Sequence, residues 1–363
     1  MKVLHLINNL ATGGAEKLIL ETIPLQNQAG ISSDLLLLNG NSQPFLEELR
    51  KQNCCQIFSL GKGSVYNPFL IFKIIPYLKK YDIIHVHLFP SLYFAAIAKT
   101  LSFSNCKLIF TEHSTSNKRI RNTFYSQLDR IFYKPYSKII TISDKVDTLI
   151  KNHLKSKNDK FQLIQNGVNI QKINDANSID FPFLPNREKY KILLQVSSFQ
   201  YPKDQKTVIK SLKLLPNNVI LFLVGVGELK LECEDFVKQE NLFNRVFFLG
   251  QRMDVPNLLK SVDIVVLSSH YEGLSLSSIE GMASGKPFVA TNVQGLKEVV
   301  IEAGLLFEKN DDLELSKHIL NLLNNTEYYQ SVVEKCRIRA NSYDINNTVK
   351  QTIVLYNQVN HEK

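Results

Sequence analysis

The apolar residues of this chain fall in short, nearly continuous runs that alternate with stretches of helical pattern. Strands covered by helices on both faces have this composition, whereas strands with one solvated face alternate apolar and polar residues. Regular alternation of strands and helices favours parallel sheets. The sequence therefore predicts an α/β fold of Rossmann-like sheets, with strands at 3–7, 34–38, 83–88, 107–111, 138–142, 192–196, 219–224, 246–249, 264–267 and 287–290.

The length of 363 residues predicts two domains, because one hydrophobic core rarely serves a chain of this size. Segment 171–190 is rich in Asn and Pro and has no periodicity, which is typical of a linker. We predict an N-terminal domain over residues 1–184 and a C-terminal domain over 185–343. A last helix, at about 344–360, is predicted to cross back to the first domain.

Ligands of open α/β sheets bind beyond the carboxyl ends of the strands. Two Rossmann-like domains that face each other predict an active-site cleft between them, with the loops after the strands as its walls. Side chains in these loops are therefore the first candidates for chemistry.

The five cysteines are odd in number and have no metal-ligand spacing, so neither a disulfide framework nor a structural metal is indicated. The apolar run at the amino terminus is too short for a signal peptide, and no later run could span a membrane. We expect a cytoplasmic protein.

The formal net charge of +9 is concentrated in segment 99–160, which holds 13 Lys and Arg against 5 Asp and Glu. Such a segment could be a set of solvated helix faces, or it could attract phosphate groups or an anionic membrane. No nucleic-acid-binding signature accompanies it. Peripheral contact with the inner face of the cytoplasmic membrane is the specific hypothesis, and no nucleic-acid partner is expected.

In the first half, Gly13, Gly14 and Glu16 follow the first predicted strand and open a helix. Glycines allow close approach of a ligand, and a helix amino terminus favours phosphate, although a purely structural turn is an equal alternative. His113 ends a predicted strand, where it could hydrogen-bond a sugar hydroxyl or move a proton, or be a hydrogen-bonded residue of the strand end without a functional role. His85 and His87 alternate within one strand and are interpreted as packed residues, because no third metal ligand is evident nearby.

In the second half, Ser198 and Lys203 follow a predicted strand. Lys203 lies near a helix start, where it could bind an anion or be an ordinary surface lysine. Glu272 lies in the loop after the strand at 264–267. With a helix starting near Leu274, Glu280 lies about one and a half turns in, where it could accept hydrogen bonds from a ribose diol. Backbone amides could bind phosphate at Gly273, Leu274 and Ser275.

The string from Tyr271 to Thr291 resembles the E-x7-E signature of the retaining glycosyltransferases of family four, also called group 1, which have the GT-B fold. Weaker matches in family order extend the resemblance over nearly the whole chain. It implies that Glu272 contacts the donor sugar and that Glu280 holds the ribose. It also implies that Lys203 neutralises charge on the leaving group and that His113 lies beside the transferred sugar. Gly13 and Glu16 would lie on the acceptor side. The residues implied to bind the diphosphate are Gly14, Gly273, Leu274 and Ser275.

The chain departs from the family pattern at two positions. Ser198 stands where the family has an arginine that clamps phosphate, so that Arg252 or another cation would have to substitute. Gly281 follows the second glutamate, where the family has alanine. Gln251 and Arg252 are predicted to lie near the base of the donor.

The resemblance implies a hexosyltransferase-type enzyme that moves sugar from a nucleotide-diphosphate sugar, with UDP-sugar expected, to a saccharide or lipid-linked saccharide in cell-surface polysaccharide synthesis. The chain has no D-x-D motif, so neither a metal nor another cofactor is expected. Two alternatives are a nucleotide-sugar epimerase of the same fold and a non-catalytic sugar-nucleotide-binding protein. A dehydrogenase is disfavoured because neither half has G-x-G-x-x-G.

Overall fold

The computed structural model describes residues 1–113, 123–156 and 159–361. Its contacts divide the chain into two compact units, Met1–Gly167 with Ile345–Lys363, and Val168–Asp344. The division thus comes at Gly167 and not, as predicted, after residue 184. The reason is that the predicted linker and the residues just before it contribute apolar side chains to the core of the second unit, namely those of Val168, Ile170, Ile173, Phe181 and Leu184.

The first unit contains a parallel sheet whose described strands have the order β3-β2-β1-β4-β5-β6-β7. The strands are β1 (Lys2–Ile7), β2 (Ser32–Leu37), β3 (Ile57–Ser59), β4 (Ile83–His87), β5 (Lys107–Glu112), β6 (Tyr136–Thr141) and β7 (Phe161–Leu163). The helices between them are α1 (Gly14–Gln28), α2 (Pro44–Gln52), α3 (Leu70–Leu78), α4 (Ser91–Ser102), α5 (Thr123–Phe132) and α6 (Asp144–Leu154).

The second unit repeats this plan, with the described strand order β10-β9-β8-β11-β12-β13. Its strands are β8 (Lys191–Val196), β9 (Val219–Val224), β10 (Val246–Gly250), β11 (Ile264–Leu267), β12 (Phe288–Thr291) and β13 (Leu305–Phe307). Its helices are α7 (Ile170–Asn174), α8 (Gln205–Ser211), α9 (Lys230–Gln239), α10 (Val255–Ser261), α11 (Leu276–Ala283), α12 (Lys297–Val300), α13 (Asp312–Asn324) and α14 (Thr326–Asn341).

The last helix, α15 (Ile345–His361), packs on the first unit. Leu355, Tyr356 and Val359 are buried in a cluster that includes residues of β1 and β4. Among the described helices, none combines the length and the apolarity that crossing a bilayer requires.

The prediction of two Rossmann-like α/β domains is confirmed, and each predicted apolar run overlaps a strand. In both sheets the strand order reverses beside the first strand of the unit, between β1 and β4 and between β8 and β11. Ligands of doubly wound folds bind at the carboxyl ends of the strands at such switch points. The loops after β1, β4, β8 and β11 are therefore the places to look for a site.

Candidate active site

At the switch point of the second sheet, the loop after β8 pairs with the loop after β11. Lys203 forms an antiparallel bridge with Ser269. The amide of His270 donates to the carbonyl of Pro202 over 2.8 Å, and the amide of Asp204 donates to the carbonyl of Ser268 over 3.1 Å. This pairing fixes Lys203 beside the segment that carries Glu272.

Lys203 and Glu272 form an ion pair between Nζ and Oε1. Their side chains are only 16% and 11% exposed. The hydroxyl of Ser269 donates to the same carboxylate oxygen over 2.8 Å. Charges taken partly out of water are tolerated when they are paired, and removal of either partner leaves the other uncompensated. The pair places a cation and a carboxylate together where a ligand of this fold would bind.

The turn at Glu272 rests on the backbone of a neighbouring loop. The amide of Glu272 donates to the carbonyl of Gln294 over 3.3 Å. Gly295 has a φ of 92°, and a Cβ there would lie 2.3 Å from the carbonyl oxygens of both Glu272 and Gly273. A side chain at position 295 would therefore displace the turn that carries Glu272.

The loop after β8 is supported in the same way by glycines that follow β9. Gly225 has a φ of 141°, and a Cβ on it would lie 2.0 Å from the carbonyl oxygen of Ser197. Gly227 has a φ of 157°, and a Cβ on it would lie 2.3 Å from the carbonyl oxygen of Phe199. Only glycine permits this packing of two backbones.

Helix α11 begins at Leu276, with Ser275 as its extended N-cap residue, and not near Leu274 as predicted. The reason is that Ser275 has a ψ of 111°, outside the helical region. Gly273, Leu274 and Ser275 therefore precede the helix. Glu280 is 7% exposed, about one turn from the start of α11, and lines a cavity of about 10 Å³ with Ser277 and Val196.

The departure at Gly281 has a packing reason. A Cβ on Gly281 would lie 2.5 Å from Cδ2 of Phe288 and 3.0 Å from Cγ1 of Val265. Phe288 is fully buried on β12. The larger ring takes the space of the usual alanine methyl group, so that Gly281 and Phe288 form a matched pair.

Arg252, the substitute suggested for the missing arginine, already has a partner. Its Nε donates to Asp254 Oδ1 over 2.7 Å, and its Nη2 donates to Oδ2 over 2.5 Å. These hydrogen bonds raise the pKa of Arg252 and lower the pKa of Asp254. Ser198 and Gln251 are exposed. A ligand that uses Arg252 must therefore compete with Asp254 or share the guanidinium with it.

In the first unit, His113 follows β5 and joins a neighbouring strand through a hydrogen bond between its Nε2 and Nδ1 of His87, at 3.2 Å. Burial lowers the pKa of His113 to about 4, so the ring is neutral near pH 7. The preceding residue, Glu112, is buried and accepts a hydrogen bond from Tyr133 over 2.8 Å. The residues from 114 to 122 lie outside the described part of the chain.

The sequence prediction that His85 and His87 have no third histidine nearby was wrong. His5 lies opposite His85 in the ladder of β1 and β4, and ligand nitrogens of the three residues lie within 4.8 Å of one another. Burial is the main cause that lowers their pKa values, to about 4 for His5 and well below 6.5 for the other two. The signal that the sequence analysis missed is that β1 and β4, which are adjacent at the switch point, carry His5 and His85 at paired positions.

Helix α1 begins at Gly14, with Gly13 as its N-cap residue. The carboxylate of Glu16 folds back over Gly13, since a Cβ there would lie 2.3 Å from Oε2. Burial raises the pKa of Glu16. At Gly14 no atom lies within 4 Å of the Cβ position, so of the two glycines Gly14 has the free space that a ligand would need.

Comparison with known proteins shows which protein family this chain resembles, independently of the geometry of the site. The model of glycosyl transferases group 1 matches residues 177–339, and that of glycosyltransferase family 4 matches residues 12–172. An uncharacterized glycosyltransferase of Methanocaldococcus jannaschii is 31% identical over 284 residues, which cover 76% of this chain and 74% of that protein. The UDP-Gal:alpha-D-GlcNAc-diphosphoundecaprenol alpha-1,3-galactosyltransferase of Escherichia coli is 28% identical over 251 residues, or 64% of each chain.

Among solved structures, the Anabaena protein HepE in complex with UDP and glucose superposes with a TM-score of 0.84 over 99% of this chain and 100% of that one, at 20% identity. This likeness concerns the fold. Together with the family models and the archaeal relative, it assigns the chain to glycosyltransferase family four, group 1, as a hexosyltransferase-type enzyme with the GT-B fold.

Proposed function

We propose that the protein is a retaining, metal-independent glycosyltransferase. It moves a sugar from a nucleotide-diphosphate sugar, with UDP-sugar as the expected donor, to a saccharide or lipid-linked saccharide acceptor in cell-surface polysaccharide synthesis. The observation that carries this proposal is the pair of Lys203 and Glu272 at the switch point of the second sheet. The Escherichia coli enzyme, which is named for UDP-Gal and a diphosphoundecaprenol-linked sugar, and the Anabaena complex with UDP and glucose support the choice of UDP-sugar and lipid-linked acceptor.

In this proposal, donor binding breaks the ion pair of Lys203 and Glu272 and gives each of the two residues a new partner. The diphosphate replaces Glu272 as the partner of Lys203, and the released carboxylate accepts hydrogen bonds from sugar hydroxyls. Breaking the bond between sugar and phosphate leaves negative charge on the departing diphosphate, which Lys203 and the backbone amides of Gly273 to Ser275 stabilise. Glu280 holds the ribose, and Gln251 with Arg252 lies beside the base.

For the first unit we propose that Gly14 contacts the diphosphate, that Gly13 and Glu16 lie on the acceptor side, and that His113 lies beside the transferred sugar. The acceptor hydroxyl attacks from the side of the leaving group, and a phosphate oxygen takes its proton. The anomeric carbon then keeps its configuration.

The donor is tested by a thermal-shift panel of UDP-, GDP- and ADP-sugars, because a ligand specific for the folded state raises its stability. The reaction is then tested by proton NMR of the product formed with a saccharide acceptor. We expect the anomeric configuration of the donor, with full turnover in EDTA. Inverted product would refute retention, and loss of turnover that Mg²⁺ restores would refute metal independence.

Incubation with donor alone separates transfer from epimerisation. A transferase gives at most slow hydrolysis without acceptor, whereas an epimerase converts the donor to a second sugar nucleotide. A new sugar nucleotide would overturn the proposal.

We also propose that the basic segment 99–160 contacts anionic lipid headgroups at the inner face of the cytoplasmic membrane. Within its described part, Arg130, Lys134, Lys155 and Lys160 line one cavity of about 300 Å³. The Nε of Arg130 is buried there without a hydrogen-bond partner among the described residues. A buried guanidinium nitrogen without a partner favours an anionic ligand.

Sedimentation with vesicles tests the membrane proposal. We expect binding to vesicles that contain phosphatidylglycerol and no binding to pure phosphatidylcholine, with a clear loss in the double variant Arg130→Gln with Lys134→Gln. Lys213→Gln with Lys238→Gln, on the second unit, is the charge-matched control. Equal binding of the two double variants would overturn the proposal.

A further inference from the structure

A chain of hydrogen bonds runs through the interior of the first unit from Gln26 on α1 to His113. Oε1 of Gln26 lies 2.8 Å from Nε2 of His5, and Nδ1 of His5 lies 3.1 Å from Nε2 of His87. Nδ1 of His87 lies 3.2 Å from Nε2 of His113. Four elements adjacent in the unit thus connect a buried amide to a side chain at the carboxyl edge of the sheet.

Each ring in the chain is neutral near pH 7, since burial lowers the pKa of His5 and His113 to about 4 and that of His87 well below 6.5. A neutral imidazole has one donor nitrogen and one acceptor nitrogen. The direction of the first hydrogen bond therefore determines the direction of each later one.

Gln26 sets this direction because its carbonyl oxygen can only accept. Nε2 of His5 must then donate, which leaves Nδ1 of His5 to accept from Nε2 of His87. By the same rule Nδ1 of His87 accepts from Nε2 of His113. The proton of His113 is thereby on Nε2, and its Nδ1 is an acceptor.

The orientation of the Gln26 amide has its own partners. Its Oε1 also accepts from the hydroxyl of Ser33 over 2.8 Å, and its Nε2 donates to the Tyr356 hydroxyl over 3.5 Å. The Tyr356 hydroxyl also lies 2.6 Å from Nδ1 of His85, and burial raises the pKa of Tyr356, which keeps it protonated. His85 Nε2 lies 2.6 Å from the Thr111 hydroxyl.

We propose that Gln26 is a positioning residue that holds His113 in the Nε2–H tautomer through His5 and His87, so that Nδ1 of His113 accepts a hydrogen bond from a hydroxyl of the reacting sugars. This inference rests on the proposed place of His113 beside the transferred sugar. The opposite tautomer would present an N–H group to that hydroxyl and reverse the hydrogen bond it can make.

The same histidines could be read as a metal site, because nitrogens of His5, His85 and His87 lie within 4.8 Å of one another. Both ring nitrogens of each residue, however, already have a side-chain partner among the described residues. A metal would have to break several of these hydrogen bonds, so the geometry favours the hydrogen-bonded chain.

The test is long-range proton–nitrogen NMR of the full-length protein labelled with ¹⁵N-histidine, with the His113 signals assigned from His113→Asn. In the wild type without ligand we expect protonated Nε2 and unprotonated Nδ1. Gln26→Leu removes the acceptor that sets the direction, so His113 should populate both tautomers. Gln26→Glu supplies an oxygen acceptor at the same place and should restore the Nε2–H form.

Turnover is measured on the same variants. Gln26→Leu should lower kcat about 5- to 10-fold with little change in KM, because a loss of this size corresponds to the free energy of one hydrogen bond. Gln26→Glu should recover most of the lost kcat. Thr22→Val, which removes another polar group of α1 lining the same small cavity, is the matched control and should change neither tautomer nor kcat.

Four results would overturn the inference. The first is an Nδ1–H tautomer in the wild type, and the second is an unchanged tautomer in Gln26→Leu. The third is a joint shift of the His5, His85 and His87 nitrogens on addition of one equivalent of Zn²⁺, which would indicate a metal site. The fourth is a changed tautomer with unchanged kcat, which would refute the role in turnover while leaving glycosyl transfer intact. Failure of the proposed function itself would show as a wild type without transferase activity.

Discussion

The two units have sheets of the same plan, yet different polar groups occupy their switch points. In the first unit, His5, His85 and His87 are buried and neutral. His5 and His87 hydrogen-bond to each other, and His85 hydrogen-bonds to the uncharged side chains of Tyr356 and Thr111. In the second unit, Lys203 and Glu272 form an ion pair that keeps some exposure to solvent. One fold thus supports an uncharged network at one site and a charged pair at the equivalent site.

The two groups are also held in different ways. Side-chain hydrogen bonds fix the histidines of the first unit. In the second unit, close contacts of backbone with backbone fix the loops, and Gly225, Gly227 and Gly295 are the positions where a Cβ would collide with a carbonyl oxygen. The difference suits the proposed roles, because diphosphate binding requires positive charge and backbone amides, whereas uncharged donors and acceptors are sufficient to bind a sugar hydroxyl.

The largest effect is expected from breaking the ion pair. Lys203→Met and Glu272→Gln should each lower kcat about 10²- to 10³-fold. Lys203→Met removes the preorganised counter-charge of the leaving group, and Glu272→Gln removes the charged acceptor of the hydrogen bonds from the sugar hydroxyls. Steady-state kinetics with a fixed acceptor measures this.

Lys213→Met and Glu240→Gln are the matched controls, since these residues form an exposed ion pair on the same unit. Surface pairs contribute little, so both controls should keep wild-type turnover. Wild-type kcat in the Lys203 and Glu272 variants would remove the charged pair from the mechanism and with it the contrast between the units.

The next largest effect is expected on stability, when one glycine in each unit is replaced by alanine. Gly295→Ala should destabilise the protein by about 2–3 kcal/mol, because its φ is unfavourable for alanine and its Cβ meets two carbonyl oxygens. Gly14→Ala should leave stability unchanged or raise it by about 0.5 kcal/mol, because it starts a helix with free space around the Cβ position. Chemical denaturation of both variants measures the difference.

Gly14→Ala also separates structure from ligand binding. If Gly14 contacts the diphosphate as proposed, the stable variant should show a raised donor KM. An unchanged KM in a stable variant would remove Gly14 from the donor site, whereas equal destabilisation by both substitutions would refute the contrast in backbone packing.

The histidine network should make the first unit sensitive to acid. Burial lowers the pKa of His5 to about 4, against smaller upward effects of Gln26 and Asp34, whereas the pKa of an unfolded histidine is about 6.5. Between these values the unfolded chain binds a proton that the folded chain does not, so stability falls as the pH falls. From about pH 7 to pH 5 the loss from His5 alone is about 2 kcal/mol.

His5→Gln keeps a hydrogen-bonding side chain without a titrating group. The loss of unfolding free energy between the two pH values should therefore be smaller in this variant by about 2 kcal/mol. His361→Gln, at the exposed end of α15, is the control and should behave as the wild type. An unchanged pH dependence in His5→Gln would show that the histidines are not held neutral.

Much of the fold followed from the sequence because buried parallel strands are continuous in Val, Ile and Leu. The strands β3, β7 and β13, of three residues each, lie at or near sheet edges and were missed because so short a run has no recognisable pattern. The domain boundary was misplaced because isolated apolar residues such as Phe181 pack only in three dimensions.

Of the candidate site, the loop with Glu272 could be predicted because its residues are consecutive. The contact of Lys203 with Glu272 was not predicted, since it depends on the pairing of two loops that are distant in sequence. The contacts of Gln26, on which its proposed role depends, could not be predicted from the sequence for the same reason. A glutamine among the apolar positions of α1 looks like a surface residue until its buried partners, His5 and Ser33, are known.

The smallest expected effect tests how packing fixes the helix that carries Glu280. Gly281→Ala should cost about 1–3 kcal/mol, because the methyl group meets the ring of Phe288 at 2.5 Å. Phe288→Val alone should cost about 2 kcal/mol through lost burial. In the double variant the added methyl group no longer meets the ring, so this protein should be more stable than the sum of the single effects predicts, by about 1 kcal/mol.

Denaturation of the four proteins gives this coupling energy. Gly14→Ala combined with Phe288→Val is the control, because the residues lie in different units and their effects should add. Additive effects of Gly281→Ala and Phe288→Val would mean that the ring does not require the glycine. Positive coupling would mean that the ring of Phe288 excludes a methyl group at position 281 and so determines how α11 packs on β12.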